Sequence, residues 1–170
     1  HIAEEPAGSE PRPDLCCSPR SILDAARVCD EAGFPHHVID VEEEFRQEIV
    51  DPFCREYLRG RTPSPCIHCN ARIKFKKLVD RARELGCQAL ATGHYARIGK
   101  TEEGRYYVTK GDDQGKDQSY FLFMLPQNIL AFTMFPLGEY TKKEIRQLAR
   151  EHDLHVAERP ESQEICFVPD

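Results

Sequence analysis

Helical patterns alternate with short β-prone runs along this chain, and that alternation restricts the fold to an α/β class with parallel strand pairing. A first helix is expected from Ser18 onward. Ser18 can cap it, Pro19 suits the first helical position, Ile22, Ala25, Ala26 and Cys29 recur at helical spacing, and Gly33 can end it. FPHHVIDV (34–41) reads as a short strand. The stretch 42–60 is helical in period but interrupted by Pro52. RTPSPCIHCN (61–70) is rich in Pro, Cys and polar residues and reads as a loop. The next sixteen-odd residues, ARIKFKKLVDRARELG, form a strong amphipathic helix ending at Gly86. CQALATG (87–93) has the character of a buried strand running into a glycine turn, and 94–111 has a hairpin's pattern. A last helix covers 141–154, with Thr141 as cap and Glu144 completing a capping box. In sheets of this kind the loops at the C-terminal strand ends carry the sites. The loop containing Gly93 and His94 takes that position.

Bulk properties narrow the function classes. With 170 residues, 40% hydrophobic and 31% charged, the chain has the composition of a folded domain with at most a small appendage. No apolar stretch approaches the roughly 20 residues of a membrane span, and no partnership with a membrane is expected. No basic, apolar, cleavable leader is visible, and the chain opens on His1, as a processed, tagged or cut product would. Residues 1–17 read as a linker or loop, 18–110 as the main part of an α/β domain, and 111–170 as a segment continuing that domain. A net charge of −6 argues only weakly against nucleic acid, because phosphate binding needs a local basic face. One candidate face exists: Arg72, Lys74, Lys76, Lys77, Arg81 and Arg83. Eight cysteines without the spacing of a secreted framework point to a reducing, cytoplasmic setting, where paired cysteines serve redox chemistry, sulfur transfer or metal binding. His36, His37 and His152 read as non-ligands.

Cys66 and Cys69 form a CxxC motif. Two thiolates at this spacing can chelate a metal or cluster, or form a redox disulfide. Structural zinc would want four ligands, and no second CxxC exists. Cys166, between Ile165 and Phe167, reads by itself as buried filler. Cys16, Cys17, Cys29, Cys54 and Cys87 read as packing residues.

Five separated blocks carry a family likeness: GRTPSPCIHCNARIKF, ATGHYAR, KDQSYFLF, FPLG with the helix after it, and SQEICF. In order and spacing they resemble the tRNA-specific 2-thiouridylases of the PP-loop ATP pyrophosphatase group, over roughly Cys16 to Phe167. The resemblance implies a Rossmann-like (adenine nucleotide alpha hydrolase-like) parallel sheet with flanking helices and a short helical and loop extension. It implies an enzyme that replaces the 2-oxygen of a tRNA uridine by sulfur, at the wobble position of Lys, Glu and Gln tRNAs. ATP with Mg2+ adenylates the oxygen, because a carbonyl oxygen is a poor leaving group, and a cysteine persulfide delivers the sulfur. By resemblance Cys166 is the persulfide carrier and Cys69 the partner nucleophile, so the two must come within disulfide reach. Ser64, Pro65 and Cys66 match base-contacting positions, Lys116, Asp117 and Gln118 the tRNA-contacting KDQ, His94 a tRNA-proximal position, and Gly93 an ATP-contacting glycine. A sulfur-relay protein or a cysteine desulfurase is the implied donor.

Two departures matter. A common family pattern has Asp where Cys66 stands, which opens a second route: Cys66, Cys69 and Cys166 holding a [4Fe–4S] cluster, as in related cluster-dependent thiolases. The family's SGGxDS loop for pyrophosphate is absent; it would lie before His1, so the sheet is expected to be incomplete on its N-terminal side and this stretch alone inactive. The alternatives are another PP-loop ATP pyrophosphatase and a non-catalytic metal- or tRNA-binding module.

Overall fold

The fold was analysed in a computed structural model, which describes residues 19–159 and 165–168. The expected linker 1–17, the Ser18 cap, Cys16, Cys17 and the polar half of the SQEICF block lie outside the described residues.

Helix α1 (Pro19–Ala32) starts at its proline and ends where expected, with Gly33 in the left-handed region. The segment 34–41 then belongs to no helix or strand, and Phe34 and Val38 stand in the open. The strand expected there is not formed: β-propensity equips a segment for a sheet, but a ladder needs a neighbouring backbone. The helix expected to break at Pro52 does not break. Helix α2 (Glu42–Phe45) passes through a π-helical turn (Arg46–Val50) directly into α3 (Asp51–Leu58), with Pro52 in its first turn. The wider turn accommodates a residue that has no N–H and whose ring would strike the preceding carbonyl.

The same device recurs at the cysteine motif, and it corrects the loop reading over 65–70, while 61–64 belong to no helix or strand as expected. Helix α4 (Pro65–His68) begins at Pro65, a π-helical segment (Cys69–Lys74) follows, and α5 (Phe75–Glu84) continues it. Composition misled here because proline is excluded from helix interiors and favoured at first positions. Cys66 and Cys69 therefore stand at i and i+3 on one helical face.

Strand β1 (Leu90–Ala91) pairs in parallel with β4 (Thr133–Met134), in the register Leu90 to Thr133 and Ala91 to Met134. The expected hairpin is present as β2 (Ala96–Lys100) and β3 (Tyr106–Lys110), antiparallel. A 3-10 turn (Ser119–Leu122), the short α6 (Gln127–Leu130), and a second 3-10 turn (Pro136–Glu139) connect these strands to α7 (Lys142–Glu151). Thr141 and Glu144 form the complete capping box at the start of α7.

Two apolar clusters organise these elements. One joins Phe75 and Val79 of α5 to Leu122, Leu125, Leu130 and Phe135, tying the cysteine helix to the 3-10 turn and the parallel pair. The other joins Phe45, Ile49 and Ile73, with Cys69, Cys166 and Phe167 packed against it. Gly138 locks the hairpin to the second 3-10 turn, because a Cβ there would collide with the Ala96 carbonyl. No helix among the described residues is long and apolar enough to cross a membrane.

Candidate functional site

Two cavities meet at Gln118. The smaller, about 280 Å3, is walled by Pro65, Cys66, Cys69, His94, Gln118 and Cys166, together with Asn70, Lys74 and Phe121. The larger, about 770 Å3, has Gly93, Lys116 and Gln118 on one side and α1 and α7 on the other.

The cysteines reach the smaller cavity from two directions. The helix running from Pro65 brings Cys66 and Cys69, Cys66 exposed and Cys69 half-buried. Because the π-helical segment repeats its bonds from i to i+5, Lys74, five residues beyond Cys69, lines the same cavity. Cys166 comes from the C-terminal segment, which is pinned by its neighbour. The Phe167 ring packs edge-on to Phe45 at 5.6 Å and to Phe53 at 5.3 Å, a geometry favoured by aromatic quadrupoles. Cys166 is half-buried: it packs against the Phe45, Ile49 and Ile73 cluster, as filler would, and also lines the cavity.

His94 closes another wall. Its ring lies between Phe75, centroid distance 5.4 Å, and Phe135, at 5.8 Å, and its Nδ1 is 2.9 Å from Thr92 Oγ1. Burial, helped by the charge of Lys74, pushes its pKa down to about 4. The imidazole is therefore neutral near pH 7, an uncharged hydrogen-bonding group facing the cysteines.

The KDQ residues divide their roles. Gln118 is fixed on both faces of Tyr95: its backbone N–H donates to the Tyr95 carbonyl at 2.9 Å, and its side-chain oxygen accepts the Tyr95 N–H at 3.0 Å. Asp117 turns inward and accepts from Ser119 Oγ at 2.9 Å and from the Gly111 N–H at 3.2 Å. Burial raises its pKa, but the hydrogen bonds from Ser119 and Gly111 outweigh that and hold the carboxyl below its usual value. Lys116 lines the larger cavity.

Gly93 lies two residues beyond the end of β1. A Cβ there would meet Leu137 Cδ1 at 3.6 Å, an ordinary contact. The fold itself thus does not demand glycine at 93, unlike at Gly138. Ser64 takes the N-cap position of α4, its hydroxyl making no capping bond, and lies outside the walls of both cavities.

Asn70 and Phe121 were not singled out from the sequence as site residues, and Lys74 only as part of the basic face. Asn70 is buried and its Nδ2 donates to the Phe121 carbonyl at 3.2 Å. The signal was present in the motif blocks, but only the fold brings the CxxCN helix against the KDQSYF turn. Cys54 and Cys87 are exposed, which corrects their reading as packing residues, and Cys29 is half-buried in the wall of the larger cavity.

Among the described residues no group of three or more His, Cys, Asp or Glu side chains is arranged to hold a metal ion. Cys66, Cys69 and Cys166 nonetheless line one cavity.

The family described as tRNA methyl transferase HUP domain matches residues 3–170. A tRNA-specific 2-thiouridylase of Geobacter metallireducens is 57% identical over 157 residues, covering 92% of this chain and 43% of the relative. Proteins of the same name from Chloroflexus aurantiacus and Deinococcus radiodurans are 50% and 46% identical, covering 94% and 92% of this chain and 44% and 41% of their own lengths. The chain thus spans less than half the length of these relatives.

Proposed function

Starting from a chain that belongs to the tRNA methyl transferase HUP domain family, we propose that it is the central part of a tRNA 2-thiouridylase, in which Cys166 carries sulfur and Cys69 releases it to a tRNA uridine. The observation that carries this reading is the convergence of Cys69 and Cys166, distant in sequence, on one small cavity with a neutral His94 and a fixed Gln118. Two thiols in one cavity suit sulfur transfer: a persulfide on Cys166 attacks carbon 2 through its outer sulfur, and the Cys69 thiolate attacks Cys166 Sγ. The S–S bond of the persulfide breaks, the outer sulfur stays on the base, and a Cys69–Cys166 disulfide remains for an external thiol to reduce. A methyl transfer, the chemistry in the family's description, would give this pairing no task.

The remaining residues take positioning roles. Pro65 and Cys66 form the wall against which the uracil ring rests, and Ser64 begins that helix. His94 and Gln118 offer hydrogen bonds to the base edge, the form of readout used for extruded bases. Lys116 grips the RNA backbone, and Asp117 holds the loop in shape.

ATP suits the larger cavity: about 770 Å3 is in the range of small-molecule sites, and Gly93 in its wall has no side chain to keep a ligand from the backbone. When bound with Mg2+, it supplies activation of the 2-oxygen as a leaving group. Gln118, in the walls of both cavities, sits where an activated oxygen and an attacking sulfur would approach the same ring. The sulfur reaches Cys166 from a relay protein or a cysteine desulfurase, and the substrates are wobble uridines of Lys, Glu and Gln tRNAs. Reducing cytoplasm keeps both thiols competent.

The test is thiolation of unmodified tRNA by the complete gene product with ATP and a persulfide donor. Sulfur incorporation is expected in the native protein and loss of product in Cys166→Ser. Cys69→Ser should accept sulfur on Cys166 but fail to release it. Normal turnover by Cys166→Ser would refute the assignment.

A further inference from the structure

Aromatic rings left in water beside a polar site call for a partner. Tyr120 and Phe123 are 65% and 63% exposed, and their centroids lie 6.1 Å apart. Tyr120 also meets Phe121 edge-on at 5.7 Å, and Phe121 is in the wall of the cysteine cavity. The three rings form one aromatic run that starts at that cavity. They stand on a fixed turn: Leu122 is buried in the main cluster, Asn70 holds the Phe121 carbonyl, and Asp117 holds Ser119.

The cysteine helix supplies a charge beside this turn, because Lys74 lines the same cavity as Phe121. Of its six basic residues from 72 to 83, three are already engaged. Lys77 pairs with Glu44, Arg81 pairs with Glu84, and Arg83 lies over the Phe132 ring and donates to the Asn128 carbonyl. Arg72, Lys74 and Lys76 are exposed and enter no ion pair among the described residues. The basic run is thus divided, and its uncommitted half is the half nearest the cysteines.

Exposed ring faces next to uncommitted cations make up the surface that single-stranded nucleic acid uses. Bases stack on the rings while phosphates pair with the cations. A protein-binding patch would be poor in such charge at its centre. We infer that Tyr120 and Phe123 form a stacking platform for unpaired bases flanking the target uridine, with Lys74 pairing a phosphate beside them. The identity of the RNA rests on the thiouridylase reading; the platform itself rests on the exposed rings and on Lys74 in the same cavity wall as Phe121.

The probe is an anticodon stem-loop RNA with 2-aminopurine beside the target uridine, titrated into the complete gene product. Native protein is expected to quench the 2-aminopurine by stacking. Tyr120→Ala with Phe123→Ala should abolish the quench and weaken binding about tenfold, while Tyr120→Phe should keep both. Lys74→Gln should reduce the slope of log Kd against log salt by about 0.7. Melting curves check that each variant is folded. No quench by the native protein, or unchanged quench and Kd in the double alanine variant, overturns the platform and leaves those rings to a protein partner. Thiolation assayed in the same native preparation keeps the two ideas apart: stacking without sulfur incorporation would sink the thiouridylase reading and leave the platform standing.

Discussion

His94 offers a direct test of how this site is built. Its pKa falls from 6.5 to about 4 because burial between Phe75 and Phe135, aided by the Lys74 charge, disfavours the imidazolium. The unfolded chain therefore binds a proton more readily than the folded one. Stability is fully present above pH 6.5 and is lost as pH falls toward 4. Linkage between those two pKa values gives a loss of about 2 kcal/mol between pH 7 and pH 5, an upper bound because part of the ring remains in contact with water. Urea unfolding at both pH values, in native protein and in His94→Gln, measures it. The native protein should lose about 1–2 kcal/mol more than the variant over this interval. The imidazole resonances should titrate near 4 by NMR. Parallel pH profiles in the two proteins, or a His94 titration near 6.5, would refute the burial argument and with it the neutral imidazole in the cysteine cavity.

Three further outcomes follow from particular contacts. Phe167→Ala removes the ring that seats between Phe45 and Phe53; about 1–3 kcal/mol of stability should go, as for a partly buried large-to-small change, and thiolation should fall with it as Cys166 loses its anchor, both read by denaturation and product assay. Thr141→Ala removes the side-chain half of the α7 capping box, the oxygen that accepts the Glu144 N–H, and should cost about 1 kcal/mol, visible in the urea midpoint with sulfur transfer chemistry unaffected at the cysteines. Cys66→Ala should leave Cys166 persulfide formation intact while weakening base binding; protein purified without oxygen that shows a cluster absorption band lost in Cys66→Ala would instead make Cys66 an iron ligand.

Much of the site could be read before any coordinates. The CxxC, ATGHY, KDQ and ICF blocks named Cys69, Cys166, Gly93, His94 and Gln118, because their order and spacing are specific enough to carry a resemblance. The capping box at Thr141, the glycine ends of α1 and α5, and the hairpin around Gly104 were also legible. These signals are local: each depends on residues within one or two turns of the chain.

Tertiary structure decided what local signals could not. Residues 34–41 carry strand propensity yet form no strand, since a strand exists only with a partner backbone. Pro52 and Pro65 looked like breaks, but widened turns and a first-position placement kept both helices running. That placement set Cys66 and Cys69 on one face and turned Lys74 toward them. Which cations of the 72–83 run remain uncommitted depends on carboxylates and a ring elsewhere in the chain, on Glu44, Glu84 and Phe132. The sequence by itself determined the helix ends, the hairpin and the chemistry of the reactive groups, whose causes lie within a few residues. Only packing over long separations determined the meeting of two cavities at Gln118, the desolvation of His94 and the approach of Cys166 to Cys69, because each depends on atoms that the chain order keeps far apart.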